Sequence, residues 1–167
     1  MDGHGGSGKT TFAERLAAAL GGVPVAHTDD FASWDDPLDW WPRCIRDLLQ
    51  PLADGIPARY PVTAWGGRPR PPVEIAPAET VVLEGVTASR EAFRPYLAFT
   101  IWIDTPREEC LRRGLERDGE QSRPLWERWL ASEDAYIARE RPHERADLVL
   151  SGVENRHVPS PDDVTRP

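Results

Sequence analysis

Eight residues near the start of the chain have the types and the spacing of a phosphate-binding loop. They read Gly3-His4-Gly5-Gly6-Ser7-Gly8-Lys9-Thr10 and match G-x-x-x-x-G-K-[ST] at every fixed position. In this pattern backbone N–H groups surround phosphate oxygens, the lysine bridges the β- and γ-phosphates, and the next hydroxyl holds Mg²⁺. The pattern predicts a bound nucleoside triphosphate, with contacts from Gly3, Gly5, Gly6, Ser7, Gly8, Lys9, Thr10 and Thr11.

Carboxylates at two predicted strand ends are the next candidates, because phosphoryl transfer also needs a base and a metal carboxylate. Asp29 and Asp30 follow one apolar run, and Glu84 follows another. Ligands bind at this edge of an open parallel sheet. We predict that one of the aspartates accepts the proton of an acceptor hydroxyl, and that Thr10, Asp29 and Glu84 hold Mg²⁺. The alternative for each carboxylate is a turn or helix cap.

Arginines near Asp118-Gly119 could supply positive charge to a transferring phosphoryl group. We predict that residues 112–124 form a mobile lid that excludes water when it closes. At least one of these arginines is expected to be catalytic, and the alternative for any single one is a solvated helix face. The candidates are Arg112, Arg113, Arg117 and Arg123.

Aromatic residues between the second and third strands could build an acceptor pocket that stacks on a flat or sugar-like substrate. Trp41 lies on the apolar stripe of a predicted helix, so a core position is the better interpretation for it. The residues in this group are Trp34, Trp40, Trp41, Tyr60 and Trp65.

The scaffold that brings these residues together is an alternation of strands and helices, which predicts an α/β fold with a parallel sheet and helices on both faces. Residues 55–77 are rich in proline and glycine and are predicted to form a long exposed loop. The predicted strands are 23–28, 81–83, 99–104 and 146–150, and the predicted helices are 10–20, 37–52, 106–116 and 125–141.

The strand that normally precedes a phosphate loop is expected to be absent, because only Met1 and Asp2 come before Gly3. A late start of the chain is the favoured explanation. The missing strand would leave neighbouring strand edges and apolar side chains without partners, so low stability is expected.

The composition indicates one globular domain over residues 1–159, followed by a disordered tail at 160–167. A net charge of −8 argues against a nucleic-acid-binding surface. Cys44 and Cys110 show no metal-ligand spacing and are expected to be free thiols. Without an apolar run long enough for a membrane span or a secretory leader, a cytoplasmic protein is expected.

Four segments together resemble the uridine kinase branch of the P-loop kinases. They are Gly3 to Thr10, His27 to Phe31, Val82 to Val86, and Arg113 to Asp118. The resemblance implies a nucleoside or nucleotide kinase fold of the P-loop NTPase type. It also implies that ATP and Mg²⁺ are the cofactors, and that the segment Asp147 to Gly152 lies beside the adenine.

Individual roles follow from the same resemblance. Asp29, two residues before a phenylalanine, would be the base on the nucleoside 5′-hydroxyl. Glu84 and Thr10 would hold Mg²⁺, with Lys9 on the phosphates. Arg113 and Arg117 match the arginines of the lid, whereas Gly114 stands where a further arginine would be.

The function expected from the sequence is an ATP- and Mg²⁺-dependent kinase that phosphorylates a small hydroxyl-bearing acceptor, with a nucleoside as first candidate. One alternative is a nucleoside monophosphate kinase, which needs arginines to bind the acceptor's phosphate. The other is a nucleotide-binding protein without catalysis. The arginines available to a monophosphate are Arg43, Arg46, Arg59, Arg68 and Arg70.

Overall fold

The computed structural model of the chain describes residues 1–63 and 69–153. The predictions for Trp65, Arg68 and the tail at 160–167 lie outside these ranges. The strands are β1 (Asp2–Gly3), β2 (Val25–His27), β3 (Ala58–Tyr60), β4 (Val73–Ile75), β5 (Val82–Glu84), β6 (Ile101–Asp104) and β7 (Leu148–Ser151). The α-helices are α1 (Lys9–Ala19), α2 (Trp41–Cys44), α3 (Gln50–Ala53), α4 (Arg107–Asp118), α5 (Arg123–Glu140) and α6 (Pro142–Arg145).

The parallel sheet that the sequence predicts is present. Strands β1, β6 and β7 pair in parallel in the order β1-β6-β7, and β2 pairs in parallel with β5. Two hydrogen bonds at Met1 join these groups: its nitrogen donates to the Leu83 carbonyl at 2.7 Å, and its carbonyl accepts the Gly85 N–H at 3.2 Å. The strand order is therefore β2-β5-β1-β6-β7.

The expectation that the first strand is absent is wrong, because Asp2–Gly3 forms a short strand in its place. A buried carboxylate holds it there. The Asp2 oxygens accept the N–H groups of Gly3, Thr87 and Ser89 at 2.7–3.1 Å and the hydroxyls of Ser89 and Tyr136 at 2.7 and 2.8 Å. The edges of β5 and β6 thus have a partner, which removes the stated reason to expect low stability.

Apolar residues pack on both faces of the sheet, as strands that are covered on both sides require. Val82 packs in one core with Ala13 and Ala17 of α1. The next residue, Leu83, belongs to a second core that includes Leu130 of α5. Since neighbouring strand residues point to opposite faces, this alternation means that helices cover both. No helix in the described ranges is long and apolar enough for a bilayer crossing.

Two predicted segments differ from the structure. The proposed loop at 55–77 contains the antiparallel pair β3 and β4, with Ala58 opposite Ile75. The predicted helix at 37–52 begins at Trp41, continues through a π-helical segment (Ile45–Leu49) and ends with α3. Pro42 lies in the first turn of α2, where its missing N–H has no helical partner to lose, so the helix accommodates it.

Candidate active site

The phosphate loop joins β1 to α1, which is the context its motif requires. Glycine is needed at Gly6 and Gly8, where φ is +80° and +100°. A Cβ on Gly6 would lie 2.4 Å from the carbonyl oxygen of Cys110, so the loop packs directly against α4. Because α1 begins at Lys9, the unpaired N–H groups of its first turn lie where phosphate would bind.

Lys9, the only lysine of the chain, is buried and reaches back across this loop. Its Nζ donates to the carbonyl oxygen of His4 at 2.8 Å. The same oxygen accepts the N–H of Ser7 at 3.0 Å. The His4 carbonyl therefore fixes the position of the ammonium group that the motif assigns to the phosphates.

Two side chains hold the loop from outside. Thr105 donates its hydroxyl to the Ser7 carbonyl at 3.0 Å, and α4 has no side-chain cap. Arg113 donates to the carbonyls of Gly6 and Ser7 at 3.4 Å and of Gly152 at 3.0 Å. Arg113 does not line the cleft described next. The structure thus places this predicted lid cation against carbonyls of the phosphate loop, and its catalytic role stays a prediction.

A cleft of about 560 Å³ opens beside the loop. Of the predicted phosphate contacts, Gly5, Gly6, Lys9 and Thr10 line it, whereas Gly3, Ser7, Gly8 and Thr11 do not. The same cleft brings together charged and aromatic side chains from five parts of the chain. These are Asp29, Trp34, Arg70, Glu84, Arg117, Asp118, Trp126 and Trp129.

Glu84 is buried at the end of β5 and contacts the loop. Its Oε1 accepts the hydroxyl of Thr10 at 3.2 Å and lies 2.6 Å from Nδ1 of His27. Burial acts to raise the Glu84 pKa, but the His27 hydrogen bond and the Lys9 charge outweigh it, so this pKa lies below its usual value. The hydrogen bond to Glu84 raises the pKa of His27.

These groups fit a magnesium ion. The Oε2 atom of Glu84 is buried and has no hydrogen-bond partner among the described residues, which leaves one acceptor available. Thr10 and Asp29 line the same cleft and offer a hydroxyl and a carboxylate. Within the described ranges no three acidic, histidine or cysteine side chains form a metal cage. Mg²⁺ usually takes few protein ligands and is held partly by substrate phosphates, so this sparse donor set suits it.

The two aspartates after β2 have separate environments. Asp29 opens onto the cleft, but surrounding protein atoms desolvate its carboxyl and raise its pKa, which Lys9 partly offsets. Asp30 is buried, and its carboxylate accepts from Arg70 at 3.1 Å and from the Tyr60 hydroxyl at 3.4 Å. Of the pair, Asp29 is therefore the residue that a ligand in the cleft can reach.

The aromatic residues predicted to form an acceptor pocket divide between cleft and core. Trp34 lines the cleft, and its ring meets Trp129 edge to face at a centroid distance of 5.9 Å. Trp40 and Tyr60 are buried in the core, where both rings pack on Phe31. Trp41 packs against the same core, as its position on the helix stripe predicts.

The segment predicted as a lid runs from the last turns of α4 into α5. Arg117 donates to Asp118 at 2.8 and 3.0 Å, and its guanidinium lies 5.4 Å from the centroid of the Trp126 ring. The Trp126 indole in turn donates to Asp118 at 2.9 Å. Arg112 and Arg123 instead form exposed ion pairs with neighbouring glutamates. Arg117 is thus the lid arginine that faces the cleft.

Gly114 provides the space for this arrangement, because a Cβ there would lie 2.5 Å from a Trp126 ring carbon. We expect Gly114→Ala to lower the free energy of unfolding by about 1–3 kcal/mol through overpacking. Helix propensity alone would favour alanine by about 1 kcal/mol. A loss of stability would therefore indicate overpacking against Trp126, and a gain would indicate helix propensity. Urea denaturation measures it, with exposed Glu116→Ala as control. A stabilised Gly114→Ala variant would contradict the contact.

Three cleft residues were not assigned there from the sequence. Trp126 and Trp129 are both buried, and both also line the cleft beside Gly5. Arg70 was considered only as a ligand for a phosphate-bearing acceptor. Tryptophans at helical spacing can face either the core or a cleft, and the sequence pattern does not distinguish the two. The sequence therefore held no signal that Trp126 and Trp129 line the cleft.

No protein-family model matches the chain. Part of the sequence is similar to uridine kinases. It is 36% identical over 73 residues to the uridine kinase of Klebsiella pneumoniae strain 342, a match that covers 42% of this chain and 34% of that protein. The uridine kinase of Yersinia pestis strain Angola is 28% identical over 89 residues, or 52% of this chain and 42% of that protein. The chain thus spans about a third to two fifths of the length of these relatives.

The fold is similar over a larger part of the molecule. A solved structure of a possible uridine kinase from Bacillus stearothermophilus superimposes with a TM-score of 0.68 and 24% sequence identity. The match covers 89% of this chain and 85% of that one. The chain therefore has a uridine kinase-like P-loop fold, in agreement with the resemblance found in its motifs.

Proposed function

We propose that this protein is an ATP- and Mg²⁺-dependent kinase that phosphorylates a hydroxyl group of a small acceptor, with a nucleoside as first candidate. The observation that carries the proposal is that Asp29 opens onto the same cleft as Lys9 and Thr10. A triphosphate on the loop and an alcohol beside Asp29 would meet in one space. The similarity to uridine kinases supports a nucleoside as that alcohol.

On the donor side, the loop and the first turn of α1 would bind the phosphates, and the Lys9 ammonium would contact the β- and γ-phosphates. Thr10 and Glu84 would hold Mg²⁺, with Asp29 as a further candidate ligand. The ion would neutralise charge on the phosphate oxygens. His27 would keep the Glu84 carboxylate in place through its hydrogen bond.

On the acceptor side, Asp29 would accept the hydroxyl proton while the acceptor oxygen bonds to the γ-phosphorus. The bond from that phosphorus to the β–γ bridging oxygen breaks, and ADP leaves. Desolvation raises the pKa of Asp29, which makes its ionised form a stronger base. Arg117 would stabilise charge on the transferring group from the lid.

The described arginines favour a neutral alcohol over a monophosphate as acceptor. Of the residues considered for a monophosphate, Arg70 lines the cleft, and its charge is shared with Asp30. Arg43 donates to the Phe31 carbonyl, outside the cleft. A phosphate dianion usually needs several free cationic donors, so this end of the site suits an uncharged group better.

The test is a screen of acceptors with Mg·ATP, in which ADP formation and the phosphorylated product are both measured. Uridine, cytidine and purine nucleosides, their monophosphates, and simple sugars form the panel. The Lys9→Ala variant supplies the background rate. We expect turnover with at least one nucleoside, and little with its monophosphate.

Turnover of a monophosphate in preference to its nucleoside would replace this proposal with the monophosphate kinase. Tight ATP binding with background turnover on the whole panel would favour a nucleotide-binding protein without catalysis. Either result would overturn the proposal as stated.

A further inference from the structure

A carboxylate from helix α5 is bound to the phosphate loop. Glu133 is 1% exposed. Its Oε1 accepts the N–H of Gly5 at 2.9 Å, and its Oε2 accepts from Nδ1 of His4 at 2.8 Å. A glutamate is almost never fully buried unless its charge is paired or hydrogen-bonded. The hydrogen bonds from the loop therefore stabilise the Glu133 carboxylate at this buried position.

Electrostatics alone would disfavour this residue here. A negative charge 2.9 Å from a loop N–H repels the phosphates that the loop is expected to bind. The charge of Glu133 would therefore weaken phosphate binding, and the residue must contribute in another way if it serves the site.

That other way is the shape of the loop. Glu133 holds the ring of His4. The carbonyl oxygen of His4 accepts hydrogen bonds from both the Lys9 ammonium and the Ser7 N–H. A Cβ on Gly5 would lie 3.0 Å from Glu133 Oε1, so the helix packs closely on the loop backbone at this point. A continuous chain of contacts therefore links Glu133 of α5 to Lys9 through the backbone of His4.

The same face of α5 contacts the chain along residues 2–5. Tyr136 bonds Asp2, Glu133 bonds His4 and Gly5, and Trp126 and Trp129 pack beside Gly5. These four side chains are spaced by three or four residues, which places them on one side of a helix. Helix α5 begins at Arg123, within the predicted lid segment 112–124, so it connects that segment to the loop.

We propose that Glu133 is a positioning residue for nucleotide binding: it fixes His4 and Gly5 so that Lys9 is held where it can contact the β- and γ-phosphates. The proposal rests on the proposed function only in taking a nucleoside triphosphate as the ligand of the loop.

The test measures ATP and ADP affinity by calorimetry without any acceptor, at a temperature where thermal melts show each variant to be folded. Glu133→Ala is expected to weaken ATP binding by at least about tenfold, the effect of losing one or two charge-assisted hydrogen bonds. The loss should be greater for ATP than for ADP, because Lys9 bridges the β- and γ-phosphates. Glu133→Gln keeps an oxygen for Gly5 and should bind ATP within about threefold of the parent or more tightly, since the repulsion is gone.

Asp134→Asn is the matched control. Its carboxylate is exposed on the same helix and pairs with Arg107, so nucleotide affinity should not change. If Glu133 only stabilises the fold, its loss should lower the melting temperature and leave the ratio of ATP affinity to ADP affinity unchanged. A change in that ratio therefore indicates a positioning role.

Unchanged or tighter ATP binding by folded Glu133→Ala would overturn the proposal and leave Glu133 as a structural or repulsive charge. If Glu133→Ala does not fold, His4→Ala decides. The His4→Ala substitution removes one of the two contacts between Glu133 and the loop, at a partly buried position. Unchanged ATP affinity of this variant would also overturn the proposal. Failure of the parent to bind ATP refutes the proposed function itself, whereas a parent that binds ATP but finds no acceptor leaves this inference intact.

Discussion

The Asp29→Asn variant is expected to bind ATP as well as the parent and to transfer its γ-phosphoryl group at least about 10²-fold more slowly. The amide cannot accept the hydroxyl proton, although it keeps the size of the carboxylate. Nucleotide binding should persist because Lys9, Thr10 and the loop are untouched. Single-turnover rates at saturating Mg²⁺ and acceptor, with ATP affinity measured separately, check both parts.

Saturating Mg²⁺ distinguishes the two roles predicted for Asp29. If the aspartate acts mainly as a metal ligand, excess Mg²⁺ should restore most of the rate to Asp29→Asn; if it is the base, the deficit remains. Asp35→Asn, an exposed aspartate in the loop that follows, is the matched control and should keep full activity. A parental rate for Asp29→Asn would rule out proton transfer to this residue.

Replacing Asp2 by alanine should cause the largest loss of stability that the structure predicts. The substitution leaves buried donors from Thr87, Ser89 and Tyr136 without their acceptor. A buried hydrogen-bond donor left unsatisfied costs about 1–3 kcal/mol, so the three residues together should cost at least about 3 kcal/mol, a large part of the total stability of a domain. At about 2–4 °C per kcal/mol, the melting temperature should fall by at least roughly 6 °C.

Urea denaturation followed by tryptophan fluorescence measures this loss. Tyr136→Phe removes one donor and keeps the carboxylate, so it should cost about 1 kcal/mol. Asp35→Ala, on the surface, should stay within about 0.5 kcal/mol of the parent. An Asp2→Ala variant as stable as Asp35→Ala would show that the short first strand does not depend on its carboxylate.

The edge of the sheet that carries the candidate site could be predicted because its signals are local. The loop motif fixes the backbone between β1 and α1, and an acid directly after an apolar run fixes Glu84 at a strand end. The choice of Asp29 over Asp30 needed the family resemblance. From the residues alone the two are equivalent, and only their tertiary partners, Arg70 and Tyr60, distinguish them.

What could not be predicted depends on contacts between distant parts of the chain. Met1 and Asp2 carry no strand pattern, and β1 exists because Asp2 bonds residues 85 and more positions away. Arg113 fits a lid by sequence, but the proximity of Gly152 turns it toward loop carbonyls. Glu133 is one of several acidic residues on a predicted helix. No feature of the neighbouring sequence indicates that its carboxylate contacts the phosphate loop.

The position of Lys9 has a practical consequence for protein chemistry. Among these 167 residues it is the only side chain with a primary amine, and its ammonium is buried against the His4 carbonyl. An amine-directed acylating reagent therefore has one side-chain target, apart from any α-amino group. Because the ammonium is buried, its acylation should be slow, and bound nucleotide should slow it further, so the two rates compared report on the phosphate site without an engineered label.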